Sequence, residues 1–527
     1  MRIKGRNRSS DPVCLWTEGP LHHVVRSCTS DFLATTPPTR SFRAVGSDIF
    51  YHHSSPSLTP LIMSLLLEQY AWCYTSFGTQ LFENDLYELR NGSQTKVELG
   101  ANDSSEFTSH APYLNQGRRY KMSTDILQRP LGLQPVNGLS SQEARINPFP
   151  FFQRMREINA VRYDNAREAW DIFRYQDVKR ILTDNENFSS LRPDQQVPLM
   201  VSLISKDPPT HTQLRFRIEK ILNPQFLETR LSQLESSVDT LLLHTIPRGE
   251  MEFIHDIAEP LPFMVIARLL GIPESDWPNI RRWAKQLHAN PHWNIDAAKI
   301  NEIRMIQNQA RKDTLDYFQS QLKDRLDKPQ DDLLTMLVTH DTQSEALNIN
   351  EATEFCLLML TAGLQSATLF LGNVMRRWVE EPYLQEMLRQ EPQILGTMIE
   401  ELLRYYPPML ATTRYAIHDV QINRLSILRG ARVVVWIGSA NRDDEVFEQG
   451  EKFQPKRQPN PHLSFGSGIH ACLASFLVRQ LASIVLPKFN KTMESIRLIP
   501  GHGLTPIQHN FFFGVEKLPI QFLPNLP

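Results

Sequence analysis

The residue with the most chemistry to offer is a single cysteine. Cys472 lies in the stretch HLSFGSGIHACLASF, residues 462–476. Gly466 and Gly468 precede it and allow backbone conformations with positive φ and the close approach of a flat ligand. A helix starting near Leu473 would aim its free N–H groups and positive dipole end at the sulfur, which favours a thiolate. Such a cysteine has three uses. Apolar filler is the commonest for a cysteine taken at random, but the loose backbone argues against it. A nucleophile wants a histidine base within reach, and His470 is two residues away. A metal ligand is the third use, and the residues alone leave the last two open.

Other groups are weaker when taken singly. Glu401 and Arg404 in EELLR form an i,i+3 charge pair of the kind any helix surface shows. His211 and Arg215, in DPPTHTQLRFRIEKIL, stand one helical turn apart and point the same way, which also fits a solvated helix face. Ala362 and Gly363 have no bulk in the middle of an apolar helix. Gly363 costs that helix roughly 1 kcal/mol relative to alanine, which either close helix packing or a bound ligand would explain.

These residues need a scaffold, and the chain supplies one in its second part. It has 527 residues, 41% of them hydrophobic, with a formal net charge of −2. That balance gives no argument for nucleic acid or an acidic membrane surface. The five cysteines show no CxxC pair and no spaced framework, as expected of free thiols in a reducing compartment. The first residues lack the apolar core of a secretory signal, and LIMSLLLEQYAW is too short to span a bilayer. Residues 1–121 are rich in Ser, Thr, Pro, Asn and His without helical or strand period, so they read as an unstructured extension.

From Met122 the texture changes. VRYDNAREAWDIFRY predicts two short strands around a polar turn at Asp164-Asn165, and QDVKRILTD a helix burying Val178, Ile181 and Leu182. Long helical patterns follow, among them INEATEFCLLMLTAGLQSATLFLGNVMRRWVEE, which is apolar nearly all round and so belongs in the centre of a large protein. VQINRLSILRGARVVVWIG reads as short strands with turns, and LASFLVRQLASIVLPKF as the last helix. The body is mainly α, a large helical domain with a smaller β part.

The run Phe465 to Cys472, FGSGIHAC, resembles the haem-binding loop of the cytochromes P-450. The family's Phe, its Gly three residues on, a basic residue two before Cys and a small residue two after it are all filled here. Glu401 and Arg404 match its ExxR helix, and Arg457 in FQPKR its partner in an ion-pair triad. The resemblance covers Met122 to the C-terminus and implies one haem-thiolate domain over residues 122–527. It implies haem b with Cys472 as axial ligand to iron, and His211, Arg215, Arg414 and His470 as partners of the two haem propionates. Phe465 would lie against the haem.

The resemblance also implies a soluble, cytoplasmic monomer of the bacterial type. It would insert one atom of O2 into an apolar or amphipathic small molecule. No flavin or iron–sulfur motif is visible, so a separate ferredoxin or flavodoxin would deliver the electrons. No nucleic acid and no membrane anchor are expected. The central helix departs from the family's A-G-x-[Glu/Asp]-Thr: Ala362-Gly363 is kept, but Gln365 and Ser366 replace the acid and the threonine. An amide has no carboxyl proton to give. Peroxide-driven chemistry, or binding without turnover, are the alternative expectations.

Overall fold

A computed structural model describes residue 136 and residues 138–525, apart from 192–202, 223–225, 227, 229, 290–296 and 340–345. The expectation for residues 1–121 lies outside the described residues. The helices of eight residues or more are α1 (Phe149–Ile158), α2 (Tyr175–Thr183), α3 (Thr210–Ile221), α4 (Leu231–Thr245), α5 (Pro260–Leu270), α6 (Trp277–Leu287), α7 (Ala297–Asp327), α8 (Ile349–Leu358), α9 (Leu364–Glu380), α10 (Tyr383–Gln390), α11 (Leu395–Tyr405) and α12 (Ser475–Thr492).

The strands are short. They are β1 (Val161–Asp164), β2 (Ala169–Ile172), β3 (Phe188–Ser189), β4 (Glu250–Glu252), β5 (Thr412–Ala416), β6 (Val420–Ile422), β7 (Leu425–Ile427), β8 (Arg432–Val435), β9 (Met493–Leu498), β10 (Thr505–Pro506), β11 (Val515–Lys517) and β12 (Pro519–Pro524).

The expected hairpin forms. β1 and β2 pair antiparallel from Val161↔Ile172 to Asp164↔Ala169. Asp164 closes the turn by accepting the N–H groups of Ala166 and Arg167, the local bond that makes aspartate a turn former. The sheet then runs β1-β2-β8-β5-β3. β2 and β8 are parallel neighbours, with Ala169 opposite Arg432. A parallel pair needs a crossover, and here the crossover carries most of the helical body.

The apolar side chains explain the central helix. Asn348 and Glu351 form a capping box at the start of α8, satisfying two free N–H groups. Phe355, Cys356 and Leu358 of α8, with Leu360 and Leu364, enter a core shared with α3, α5 and α7. Phe370, Leu371, Val374, Met375 and Trp378 of α9 enter a second core, built with α4, α11, α12 and β12. One helix line thus serves two cores from different sides, which is why its sequence is apolar all round. Its 32 residues are long and apolar enough to cross a bilayer, but these apolar side chains are taken up by the two cores. The line ends at Glu380, two residues before Pro382, which cannot continue a helix.

Between α8 and α9 the helix loosens into a π-turn, Met359–Gly363. Such turns add one residue to the α repeat. His288, just past α6, sets its Nε2 2.7 Å from the Thr361 carbonyl, while its Nδ1 lies 2.7 Å from the carbonyl of Ala284.

Candidate active site

The thiol loop is a tight fold of backbone. Gly466 donates its N–H to Leu463 (2.8 Å), Ala471 to Gly468 (3.0 Å), and Cys472 to the carbonyl of Phe465 (2.7 Å). Gly466 and Gly468 have φ of 72° and 71°, the left-handed region that glycine tolerates best. Gly468 is constrained twice, because a Cβ there would lie 2.8 Å from the Leu182 carbonyl oxygen and 3.0 Å from Thr183 Cα at the end of α2. At Gly466 the nearest atom would be 3.6 Å away. Gly468→Ala therefore carries both backbone strain and a clash, and Gly466→Ala the strain alone. We expect Gly468→Ala to be the more destabilising, by about 2–3 kcal/mol against about 1 for Gly466→Ala. Thermal melts of the two variants check the order.

Burial and the nearby donors and charges pull the acidity of the thiol in opposite directions. A water-sized sphere reaches Cys472, yet burial dominates and raises its pKa, against the Ala474 N–H and the charges of Arg215 and Arg479. The helix behind it begins at Ser475, two residues later than expected. A metal cation would supply the missing positive charge, since a coordinating thiol is deprotonated outright.

Two histidines and an arginine gather next to this loop. The His211 and His470 rings lie 4.1 Å apart between centroids. His211 is 1% exposed. Both of its ring nitrogens, and Nε2 of His470, are buried without a hydrogen-bond partner. Burial, then Arg414 and His211, lowers the His470 pKa to about 3. Burial, then Arg215, lowers that of His211. Arg414, on β5 opposite Val433, is 7% exposed, and burial brings its pKa to about 10. Buried polar groups are normally paired. This cluster of donors and positive charge matches an anion with several acceptor oxygens.

Arg215 acts on both histidines and also binds the thiol loop. Its Nη1 donates to the carbonyls of Ile469 (2.8 Å) and Ala471 (2.7 Å), and its Nε to Glu219. A long side chain has several acceptors in range, and here the loop backbone takes it. Arg215 braces the thiol loop.

The structure brings Glu401, Arg404 and Arg457 together. Glu401 and Arg404 have fully buried side chains, and Arg457 is 6% exposed. Arg404 Nε and Nη2 each donate to Glu401 at 2.7 Å. Its remaining donors go to the carbonyls of Asn441, Gly450 and Lys452. Arg457 Nε donates to both Glu401 oxygens at 3.2 Å. Gln454 N–H and Asn460 Nδ2 complete the carboxylate. Asn441 then reaches the thiol loop, accepting the Leu463 N–H (2.7 Å) and donating to Ser464 Oγ (2.8 Å). The triad thus holds the chain segment that delivers the cysteine.

On the central helix, Ala362 is exposed, and a Cβ at Gly363 would lie 3.0 Å from Ile266 Cδ1 of α5. Gly363 therefore serves close helix packing. Gln365 and Ser366 lie just past the π-turn. The Ser366 hydroxyl donates back to the Ala362 carbonyl at 2.8 Å, which leaves its lone pairs as acceptors. Phe465 is half-buried against the core shared with α12. Sequence reasoning missed three residues beside the loop, namely Glu400, His462 and Arg479. Their contacts join positions 62 and 79 residues apart, and no local pattern marks them. Among the described residues no group of three or more His, Cys, Asp or Glu side chains could hold a bare metal ion.

A thiol on a braced loop, beside two histidines and a buried arginine, fits the haem-thiolate class. Comparison with known proteins agrees. The sequence model of the family Cytochrome P450 matches residues 280–490. The chain is 30% identical over 399 residues to Putative cytochrome P450 YjiB of Bacillus subtilis, across 75% of this chain and 100% of that one. It is 34% identical over 397 residues to Cytochrome P450 109 of Bacillus spizizenii, across 75% and 96%. The crystal structure of CYP109E1 from Bacillus megaterium in complex with corticosterone superposes with a TM-score of 0.67 at 31% identity, across 73% of this chain and all of that one.

The chain belongs to the cytochrome P450 family. It is accordingly a haem-thiolate monooxygenase that acts on a small molecule, carries haem iron on a cysteine thiolate and takes electrons from a redox partner.

Proposed function

We propose that Cys472 is the thiolate that holds haem b, and that His211, His470 and Arg414 hold its propionates. The observation that carries this is the set of three buried ring nitrogens without a partner, both of His211 and Nε2 of His470, beside the thiol loop, with Arg414 close by. The residues fit the group. Two carboxylates would take the free ring N–H donors and offset the positive charge that, after burial, lowers both histidine pKa values. Arg215 and the Glu401–Arg404–Arg457 triad act through the loop backbone. Bound haem supplies oxygen activation, with the thiolate favouring O–O cleavage. Ala362 and Gly363 keep the helix slim on the opposite side, and Gln365 and Ser366 order water there.

The substrate we propose is an apolar or amphipathic small molecule. One relative of this fold binds corticosterone, which is of that class. We further propose a ferredoxin- or flavodoxin-type electron donor, a monomeric state and a cytoplasmic location. The chain carries no Gly-rich dinucleotide motif and no cysteine cluster of its own. We also propose that residues 122–527 form the haem-binding unit. The relatives named above match over 96–100% of their own length against 75% of this chain. A screen for substrate-induced shifts in the haem spectrum tests the function. It is followed by product analysis with a surrogate donor. Product with the donor supports the monooxygenase, and product with peroxide alone supports a peroxide-driven enzyme, the reading that Gln365 favours.

Gln365 cannot give a carboxyl proton, and general acid assistance is typically worth 10²–10⁴-fold. With a surrogate donor we expect a sizeable share of electrons to emerge as peroxide or water. Gln365→Glu should raise product per reducing equivalent, and Ser366→Ala should lower it. Unchanged coupling in both variants would show that other groups deliver the protons.

A further inference from the structure

Glu400 is the neighbour of the triad's Glu401 but serves a different cation. Arg479, on α12 seven residues after Cys472, donates from Nε to Glu400 Oε1 (2.6 Å) and from Nη2 to Oε2 (2.8 Å). This is a fork-on-fork pair with fixed geometry. His462 adds a third bond. Its Nδ1 accepts the Ser464 N–H (3.3 Å), so its proton sits on Nε2, 3.0 Å from Glu400 Oε2. Burial works against the carboxylate, but the bonds from Arg479 and His462 outweigh it and hold the Glu400 pKa at about 2.

The guanidinium carbon of Arg479 lies 4.6 Å from the centroid of the Phe465 ring. The carbonyl of Phe465 receives the Cys472 N–H. A fixed positive charge therefore stands beside the thiol loop, with its counter-charge on the side of α11.

We propose that Arg479 and Glu400 are a pair of positioning charges that set how readily haem on Cys472 accepts an electron, Arg479 making reduction easier and Glu400 making it harder. The proposal rests on the reading of Cys472 as the haem ligand and adds to it a control of electron entry. The physical reason is Coulombic. One-electron reduction, with the electron coming from the redox partner, adds one negative charge to the haem–thiolate unit. A nearby cation stabilises the added charge and a nearby anion opposes it. The guanidinium reaches the thiol loop through its contact with the Phe465 ring, and Glu400 binds that guanidinium. The side chains are 41% and 29% exposed, so solvent and salt screen part of the effect.

The test is a reduction-potential titration of the haem-loaded protein and of Arg479→Gln, Arg479→Lys and Glu400→Gln, each with its reduced carbon monoxide spectrum. We expect a more negative potential in Arg479→Gln, a more positive one in Glu400→Gln, and a value close to native in Arg479→Lys. The two shifts should shrink as salt rises from about 0.01 M to about 1 M, where the screening length falls from roughly 30 to roughly 3 Å. Opposite signs are the signature, because mere loosening of the loop would move both variants the same way. Shifts of one sign, or none, with the thiolate band intact, overturn the inference and leave the reading of Cys472 standing. Absence of the thiolate band in the native protein overturns both. Should Arg479→Gln fail to fold, Glu400→Gln, nearly isosteric, decides by a positive shift that shrinks with salt, and a shift that is negative or indifferent to salt overturns the inference.

Discussion

Replacing Cys472 with alanine abolishes the red-shifted absorption of the reduced carbon monoxide complex, the expected signature of thiolate-ligated iron. The structure offers a matched control. Cys356 is the other cysteine among the described residues. It is 0% exposed in the core shared by α3, α5 and α8, where burial pushes its pKa far up. Such a thiol is inert packing. Cys356→Ala should keep the band in full and lose only some packing energy. The Cys472 sulfur has the braced loop, the Ala474 N–H and two arginines around it. Retention of the band by Cys472→Ala would place the ligand elsewhere and remove the basis of the proposed site. Its absorbance, titrated against haem, is the measurement.

The second large effect is expected at Glu401. Its carboxylate takes both Arg404 and Arg457 at a site shielded from water. Removing one partner of a buried pair leaves an uncompensated charge and typically costs about 3–5 kcal/mol. That is a large part of the about 5–15 kcal/mol by which a domain is stable. Glu401→Gln keeps the shape and removes the charge that neutralises two guanidinium groups. We expect a poorly folded protein with little haem uptake, seen as loss of a cooperative melt and of the haem band. The path of the damage is specific. Arg404 holds the carbonyls of Asn441, Gly450 and Lys452, and Asn441 holds Leu463 and Ser464. The thiol loop should therefore loosen first, which faster proteolysis around residues 448–464 would show. A variant with native stability would mean that the triad is not needed to hold the loop.

The sequence made the local features legible and the distant ones only in part. The β1–β2 hairpin was visible because its turn and its alternation are both written within a dozen residues. The buried face of α2, Val178, Ile181 and Leu182, was visible for the same reason. The thiol loop and the ExxR helix were legible as motifs, and their order along the chain gave them meaning. The bonds of Arg215 to the loop carbonyls were not legible, because a long flexible side chain can reach several acceptors and spacing alone does not choose among them. The helix end behind Cys472 can be anticipated from sequence, whereas the burial that raises its pKa cannot. Glu400, His462 and Arg479 were invisible for a topological reason: they meet only after α11 and α12 have packed together.

The π-turn at Met359–Gly363 bears on how the central helix tolerates changes of length. A π-turn is one residue inserted into a regular helix, and each residue of an α-helix turns the chain by about 100°. The side chains of α8 and α9 are thus set out of phase by one position, and each segment meets its own core. Deleting a single residue from Met359–Gly363 would restore a uniform helix and leave both segments facing as they do, because the wide turn has already absorbed the extra residue. Phe370, Val374 and Trp378 would keep their core, and Phe355 and Leu360 theirs. A one-residue gap within α8 or α9 has no such slack and turns everything beyond it by about 100°, a change of facing for a whole segment.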